Sequence, residues 1–519
     1  MKVKLAFLLL LLSFLNACKD TKDDNDNPNP NPEKSDNKYV NGWIYDELSE
    51  YYLWNDKMSS KQSFNLDMDP YDFFDQDGIL YKYNAVTKEG DRFSYIEGTH
   101  ANIPKSATAE TNPVTSDIGF EYMYIQYVNQ SGNPTGEWAY LVVYVKKDTD
   151  AEKQGVKRGH LIKQVNDTKI TNDNRFSLLY QNLSSYKLSI DDYELSKTVE
   201  KTVNVTYNYT ENPIYLDKIF TVNGQKAGYI VYNSFKAGPE ATLPYDVELM
   251  NILTRFKSEG VENLILDLRY NGGGLVRSAQ FLASALVPAR NTNNKFEIKT
   301  YNPDIQKWLN TLPDNNSTKK SWMYDYFVDN ITKDNAVLVS IPKFGDQLKN
   351  LYVLCTAHTA SASEMTVNTL RPYMKEKGKS VILIGKQTTG KNVGSWPIYE
   401  DDKANNTYVM WPIIFKTHNK DMESNYAAGF SPDIELNELS PLLSEGKPLK
   451  NLGDENEVLL SAALSAIRGE TKSEVKSVAS PLFIEQGSSL DRKQGSYKMY
   501  ESESKSKALK NELKSLKNK

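Results

Sequence analysis

The stretch Thr359–Lys391 reads TASASEMTVNTLRPYMKEKGKSVILIGKQTTGK, and the order of elements in it decides the fold. The apolar run LYVLC (351–355) precedes it. A small-residue turn then carries Ser361 and Ser363. A helix-like segment follows, then a second apolar run, SVILIG (380–385), and a Gly-Lys turn. Strand, serine turn, helix, strand, lysine is an α/β order that places a hydroxyl and an amine at the ends of neighbouring strands. Serine and lysine together are a nucleophile–base pairing. A helix cap and a solvated lysine would read the same residues without chemistry.

Upstream of this stretch, Tyr229–Tyr232 is a short buried strand. Val247, Met250, Leu253 and Phe256 then recur along one helical face. Asn263–Arg269 is a second apolar strand, followed by Tyr270-Asn271 and the glycine run Gly272-Gly273-Gly274, then a helix through Phe281 and Leu282. Strands and helices joined this way predict a largely parallel sheet covered by helices over residues 211–470. Within it, residues 300–335 are polar and read as a surface insertion. A helix over Val458–Ile467 closes the domain.

Before this core, residues 39–112 read as a small helical domain. Trp43, Ile44, Leu48, Tyr52 and Leu53 stand at helical spacing, a second helical piece covers Pro70–Phe74, and no chemistry is visible in either. Residues 113–210 read as a β domain, with the runs GFEYMYIQY and AYLVVYVKK and a short helix ending at Gly155. The fold class expected is therefore multidomain, α+β and α/β. Residues 471–519 are Ser-, Lys- and Glu-rich. Leu509, Leu513 and Leu516 give only a weak helical stripe, so this polar tail reads as disordered or as a solvated helix.

A chain of 519 residues holds two to four domains. Its 62 basic and 67 acidic residues argue against nucleic acid as an obligate partner. No His/Cys/Asp spacing matches a metal ligand set, so neither metal nor cofactor is expected. Cys355 sits in an apolar run, and a disulfide with the only other cysteine, Cys18, is not expected. Lys2 and Lys4, the apolar run Leu5–Leu15 and Leu15-Asn16-Ala17-Cys18 resemble a bacterial lipoprotein signal over residues 1–17. By that resemblance Cys18 is lipidated, residues 18–38 are a disordered tether, and the protein is lipid-anchored in the cell envelope. The expected location is the outer membrane, on its periplasmic side or at the cell surface.

The segment Asp150–Asp167 resembles a PDZ domain, a fold that binds a peptide's C-terminus as an added strand. By resemblance the carboxylate-binding loop is Asp117, Ile118, Gly119 and Phe120. The whole order (helical segment, PDZ-like module, LDLRYNGGG, TASASE, TTGK, GFSPDIEL) resembles the carboxyl-terminal processing peptidases, or tail-specific proteases. The resemblance implies Ser361 as nucleophile and Lys391 as base, with the N–H groups of Gly273 and Ala362 as the oxyanion hole. It implies protein or peptide substrates with exposed C-termini, and Ser395 stands where the family commonly carries a glutamine supporting the lysine. The gap between Ser361 and Lys391 implies an insertion over Pro372–Lys379.

A free lysine, with a pKa of about 10.4, is a poor base near neutrality. Burial lowering it by roughly three units corresponds to about 4 kcal/mol. Each oxyanion donor is worth about 2.7–4 kcal/mol. A histidine base is the competing assignment, with His358 the best placed of His100, His160, His358 and His418. A non-catalytic protein binding peptides or small hydrophobic ligands on the same fold is the competing function.

Overall fold

The computed structural model describes residues 37–98, 114–192, 195–400, 406–470, 482–492 and 499–517. Cys18, the signal segment, His100 and most of the expected tether lie outside the described residues.

The central sheet has six strands in the order Ile214–Val222, Gln225–Tyr232, Val261–Asp267, Asn350–Cys355, Ser380–Gly385 and Ile434–Glu435. The first pair is antiparallel, and every later pairing is parallel. The apolar runs are buried along both faces, as strands covered on two sides require. The helix Pro244–Ser258 buries Met250, Leu253 and Phe256 as its spacing predicts. Pro372 stands inside the helix Ala362–Glu376.

A second sheet runs in the order Gly274–Leu275, Met499–Tyr500, Val393–Ser395, Ile413–His418, Lys295–Thr300 and Tyr324–Tyr326. It draws on the polar region 300–335, which is not a surface insertion. Ile305, Leu309 and Trp322 in that region are buried in the main core.

The helices Asn37–Tyr51 and Pro70–Phe74 share that same core through Val40, Ile44, Leu48, Tyr51 and Phe73. Asp69 starts the second helix by accepting the Tyr71 N–H at 2.9 Å. The β region has its own core, built from Phe120, Tyr122, Tyr140, Ile162, Leu188 and Ile190. Its sheet contains Phe120–Val128, Pro134–Val145, Leu161–Val165, Ser185–Asp192 and Lys197–Asn204, all antiparallel. Phe120–Val128 carries Phe483–Ser488 of the tail on its other edge.

The described part of the tail is ordered structure, contrary to the expectation from composition. It supplies strands to two sheets and the helix Glu503–Lys517, which buries Leu509 and Leu513. No helix among the described residues is long and apolar enough to cross a membrane.

Candidate active site

The serine turn is bolted to the end of the strand Val261–Asp267 and the residues after it. Thr359 Oγ1 donates to Leu268 O at 2.7 Å and accepts the Thr356 N–H at 3.0 Å. The Ala360 N–H and Ser363 Oγ both donate to Asn271 O at 3.1 Å. Ser363 is thereby spent on structure. Ser361 is different. It is fully buried at the start of the helix Ala362–Glu376, where its side chain faces the Glu364 N–H in a capping box, but its Oγ makes no hydrogen bond of full geometry among the described residues. Its backbone sits at φ 65°, ψ −117°, outside the regions a serine ordinarily occupies. Such a conformation costs about 1–3 kcal/mol and gathers at functional sites. The Ala362 N–H, at the first helical position, belongs to the end of a helix that leaves donors without intrahelical partners.

Glu364 joins the serine turn to the lysine turn. Its Oε2 accepts the N–H groups of Ser361 and Lys391, each at 2.8 Å. Its Oε1 accepts the Gly390 N–H at 2.8 Å and Thr388 Oγ1 at 2.5 Å. Burial raises this carboxyl's pKa, and the four donors pull it back. Gly390 has φ +90°, and a Cβ there would meet Ala427 O at 2.4 Å, so only glycine fits before Lys391.

Lys391 is 3% exposed. Its Nζ lies 4.7 Å from the centre of the Phe93 ring and is not hydrogen-bonded to Ser361 Oγ. Arg92 beside it donates from Nη2 to the carbonyls of Thr389 and Gly390, both at 2.8 Å. The N-terminal helical segment thus forms one wall of the site, which its sequence gave no reason to expect. A cavity of ≈ 540 Å³ opens there, lined by Trp54, Tyr83, Arg92, Phe93, Gly390 and Asn392 among others.

The remaining predicted site residues have other partners. The Gly273 N–H donates to Asn271 Oδ1 at 2.8 Å and is turned away from an oxyanion. Ser395 Oγ donates to Met499 O at 3.3 Å, so its hydrogen bond goes to the tail instead of Lys391. In the loop Asp117–Phe120, Asp117 Oδ1 takes the Gly119 N–H at 2.7 Å. Its Oδ2 pairs with Lys146 at 2.5 Å.

His358 is held by the tail. Its Nδ1 is 3.1 Å from Asp491 and its Nε2 3.7 Å from Glu485. Burial lowers its pKa, but the hydrogen-bonded carboxylates outweigh burial and push it up to about 9. A protonated imidazole is no base. His160 faces Asp192 at 3.5 Å, and His418 faces Thr300 at 3.0 Å.

One trio of carboxylates, Glu297, Asp325 and Glu501, is close enough to hold a cation. Lys299 Nζ already stands among them, 3.2 Å from Glu297 and 2.5 Å from Glu501, in contact with Asp325 as well. Burial pushes the Glu297 carboxyl up to about 7 against the pull of Lys299.

Residues 226–436 match the model of peptidase family S41, and residues 39–95 match the peptidase S41 N-terminal domain. A carboxyl-terminal-processing protease of Picosynechococcus sp. is 26% identical over 196 residues, covering 37% of this chain and 36% of that protein. The alignment thus spans about a third of the relative's length. An S41-class protein from Bacteroides fragilis NCTC 9343 superposes with a TM-score of 0.61 at 27% identity, covering 83% of this chain and 98% of the other. A photosystem II D1 C-terminal processing protease aligns at 18% identity with a TM-score of 0.44 over 83% of this chain and 99% of its own, too loose to carry weight. With both its N-terminal segment and its central core matched, the chain belongs to peptidase family S41.

Proposed function

We propose that the protein is a serine endopeptidase of the carboxyl-terminal processing type, with Ser361 as nucleophile and Lys391 as base. The observation that carries this is Ser361 itself: a buried hydroxyl with no full hydrogen bond among the described residues, on a strained backbone at a helix start, tied through Glu364 to the lysine turn. In the reaction, Ser361 Oγ bonds to the scissile carbonyl carbon while its proton passes to the neutral Lys391 amine. The Ala362 N–H faces the developing oxyanion. Collapse breaks the C–N bond, and Lys391 returns the proton to the leaving amine. Lys391 then takes a proton from water as the water attacks the acyl carbon, and passes it to Ser361 Oγ as the ester C–O bond breaks.

The chemistry requires two rearrangements. Lys391 Nζ must turn from Phe93 toward Ser361, and the Gly273 N–H must leave Asn271 if it is to serve as second donor. Substrate delivery falls to the PDZ-like module, with protein chains bearing exposed C-termini as its ligands. Its Asp117–Phe120 loop would have to open to hold a terminal carboxylate. In this reading Cys18 carries the lipid anchor and the enzyme works in the cell envelope, on either face of the outer membrane. A non-catalytic peptide-binding protein is the second reading, favoured by the engaged Gly273 N–H and the missing Ser361–Lys391 bond.

The test compares wild type, Ser361→Ala and Lys391→Ala on an unstructured protein with a free apolar C-terminus. Both variants should lose at least ~10³-fold in kcat. Unchanged cleavage in both would sink the dyad. Equal cleavage of a C-terminally amidated substrate would remove carboxylate capture.

A further inference from the structure

The acceptor strand Phe120–Val128 has one edge filled by Pro134–Val145. Its other edge carries Phe483–Ser488, antiparallel, with Phe483 opposite Tyr127, Glu485 opposite Ile125 and Ser488 opposite Met123. This is the geometry of strand addition, in which main-chain bonds give affinity and alternate side chains give selectivity. The Val128 N–H donates to Leu482 O at 3.1 Å. Ser488 Oγ donates to Tyr122 O at 3.0 Å. Ser489 Oγ donates to Glu121 at 2.6 Å and accepts the Tyr122 N–H at 2.9 Å.

Alternate residues of a strand share a face, so Phe483 and Glu485 act together. Phe483 is buried in a cluster with Met123, Ile125, Leu439 and Leu459. Glu485 stands 3.6 Å from Lys386 and 3.7 Å from His358, three residues before Ser361. Asp491 binds the other nitrogen of His358. The added strand therefore bridges the β region and the serine turn. The chain runs on from Ser488 into the turn Ser489–Arg492, so the segment paired on this edge is an internal one.

The same tail makes a second entry into the core. Met499–Tyr500 lies between Gly274–Leu275, at the end of the glycine loop, and Val393–Ser395, just beyond Lys391. The Glu501 N–H donates to Ser395 O at 3.1 Å, and Glu501 joins the buried cluster around Lys299.

We propose that the edge of Phe120–Val128 is a strand-binding site for internal peptide segments, and that Phe483–Ser488 is its resident ligand, supplied by the chain itself. The ligand class is an extended segment with a large apolar residue followed two positions later by an acidic one. Phe483 sets the apolar preference, and Lys386 with His358 sets the acidic one. A substrate segment of that pattern takes the seat by displacing the tail strand, and this last clause rests on the peptidase reading above.

The experiment uses the full chain with Ser361→Ala, so that binding is read without turnover. Phe483→Asp is introduced to eject the strand, with Glu485→Lys/Asp491→Lys as a second variant that sets like charges against Lys386 and His358 at partly exposed positions. The probe is a fluorescent synthetic peptide of residues 482–492, amidated at its end. Either cleared variant should bind the probe at least tenfold more tightly than the parent. Deuterium uptake over residues 120–128 should rise, then fall again when the peptide is added. A probe carrying the Phe483→Asp change should not bind. Equal probe binding by parent and cleared chains overturns the proposal, as does an exposed acceptor strand that takes no peptide. Loss of the circular dichroism signal in both variants would mean the segment is a fixed part of the fold, which also overturns it. Peptidase assays with Ser361 restored are scored separately, so failure of catalysis leaves the binding result intact.

Discussion

Glu364 carries more of the site than its place behind the serine suggests. Two donors converge on each of its oxygens. A glutamine has the same shape but only one acceptor oxygen, so two of the four donors would face an NH₂ group. Leaving buried donors unmatched costs about 1–3 kcal/mol each. Glu364→Gln should therefore lower the melting temperature by several degrees. It should also cut kcat on the order of 10- to 100-fold with little change in KM, because the two turns it aligns carry the proposed nucleophile and base. Steady-state kinetics with thermal unfolding on the same preparation checks this, and an unchanged kcat would strip Glu364 of its positioning role. The serine followed three residues later by a glutamate is a helix-start pattern, so this residue was legible as a cap. Its second partner, the turn at 388–391, was not, because that contact crosses 27 residues and depends on two strands lying side by side.

At the scale of elements, the lysine turn is held from three directions. Glu364 grips it from the serine helix, the Thr389 N–H donates to Thr359 O at 3.0 Å, and Arg92 clamps its carbonyls from the N-terminal segment. Arg92 is itself exposed, so Arg92→Ala should change global stability little while loosening the turn. Cleavage should slow by about tenfold with the melting temperature nearly unchanged. Retained wild-type kcat would show that the turn is rigid without the clamp. The strands and helices of the central sheet were readable because apolar runs and a 3.6-residue period are local signals. The tail and residues 300–335 were not. Their composition is polar, yet Lys505 and Glu501 of the tail find Asp325 and Lys299. Such partners are invisible in a local window.

Across the whole molecule, a buried ion cluster fastens the β region to the catalytic core. Arg158, from the turn before Leu161–Val165, pairs with Glu438 at 2.7 Å. Arg269 at the end of the central strand pairs with Asp267 at 2.8 Å, Glu438 at 3.0 Å and Glu457 at 2.7 Å. Burial alone would raise the Glu438 carboxyl, but Arg158 and Arg269 hold it down at about 2. Its folded pKa lies below the unfolded value of about 4.3. The stabilisation is therefore fully present above that value and is lost as the pH falls through about 2. Glu438→Ala removes the 2.7 Å partner of Arg158 and one of the three carboxylates around Arg269, and should cost about 3 kcal/mol. In urea titrations the gap between wild type and variant should be constant from pH 6 to 8 and should shrink below pH 4. A gap that does not depend on acid would place the stabilisation elsewhere than in the charge.

One contact sets an order of events in time. Glu47 and Lys510 are 463 positions apart and meet at 3.1 Å, so the helix Glu503–Lys517 closes over a segment that precedes it by most of the chain. In chain order the serine turn, the lysine turn and Arg92 all precede Phe483, Met499 and Lys510. The edge of Phe120–Val128 is therefore open until Phe483–Ser488 pairs with it. Until then, like any unpaired strand edge, it is a template for another extended segment.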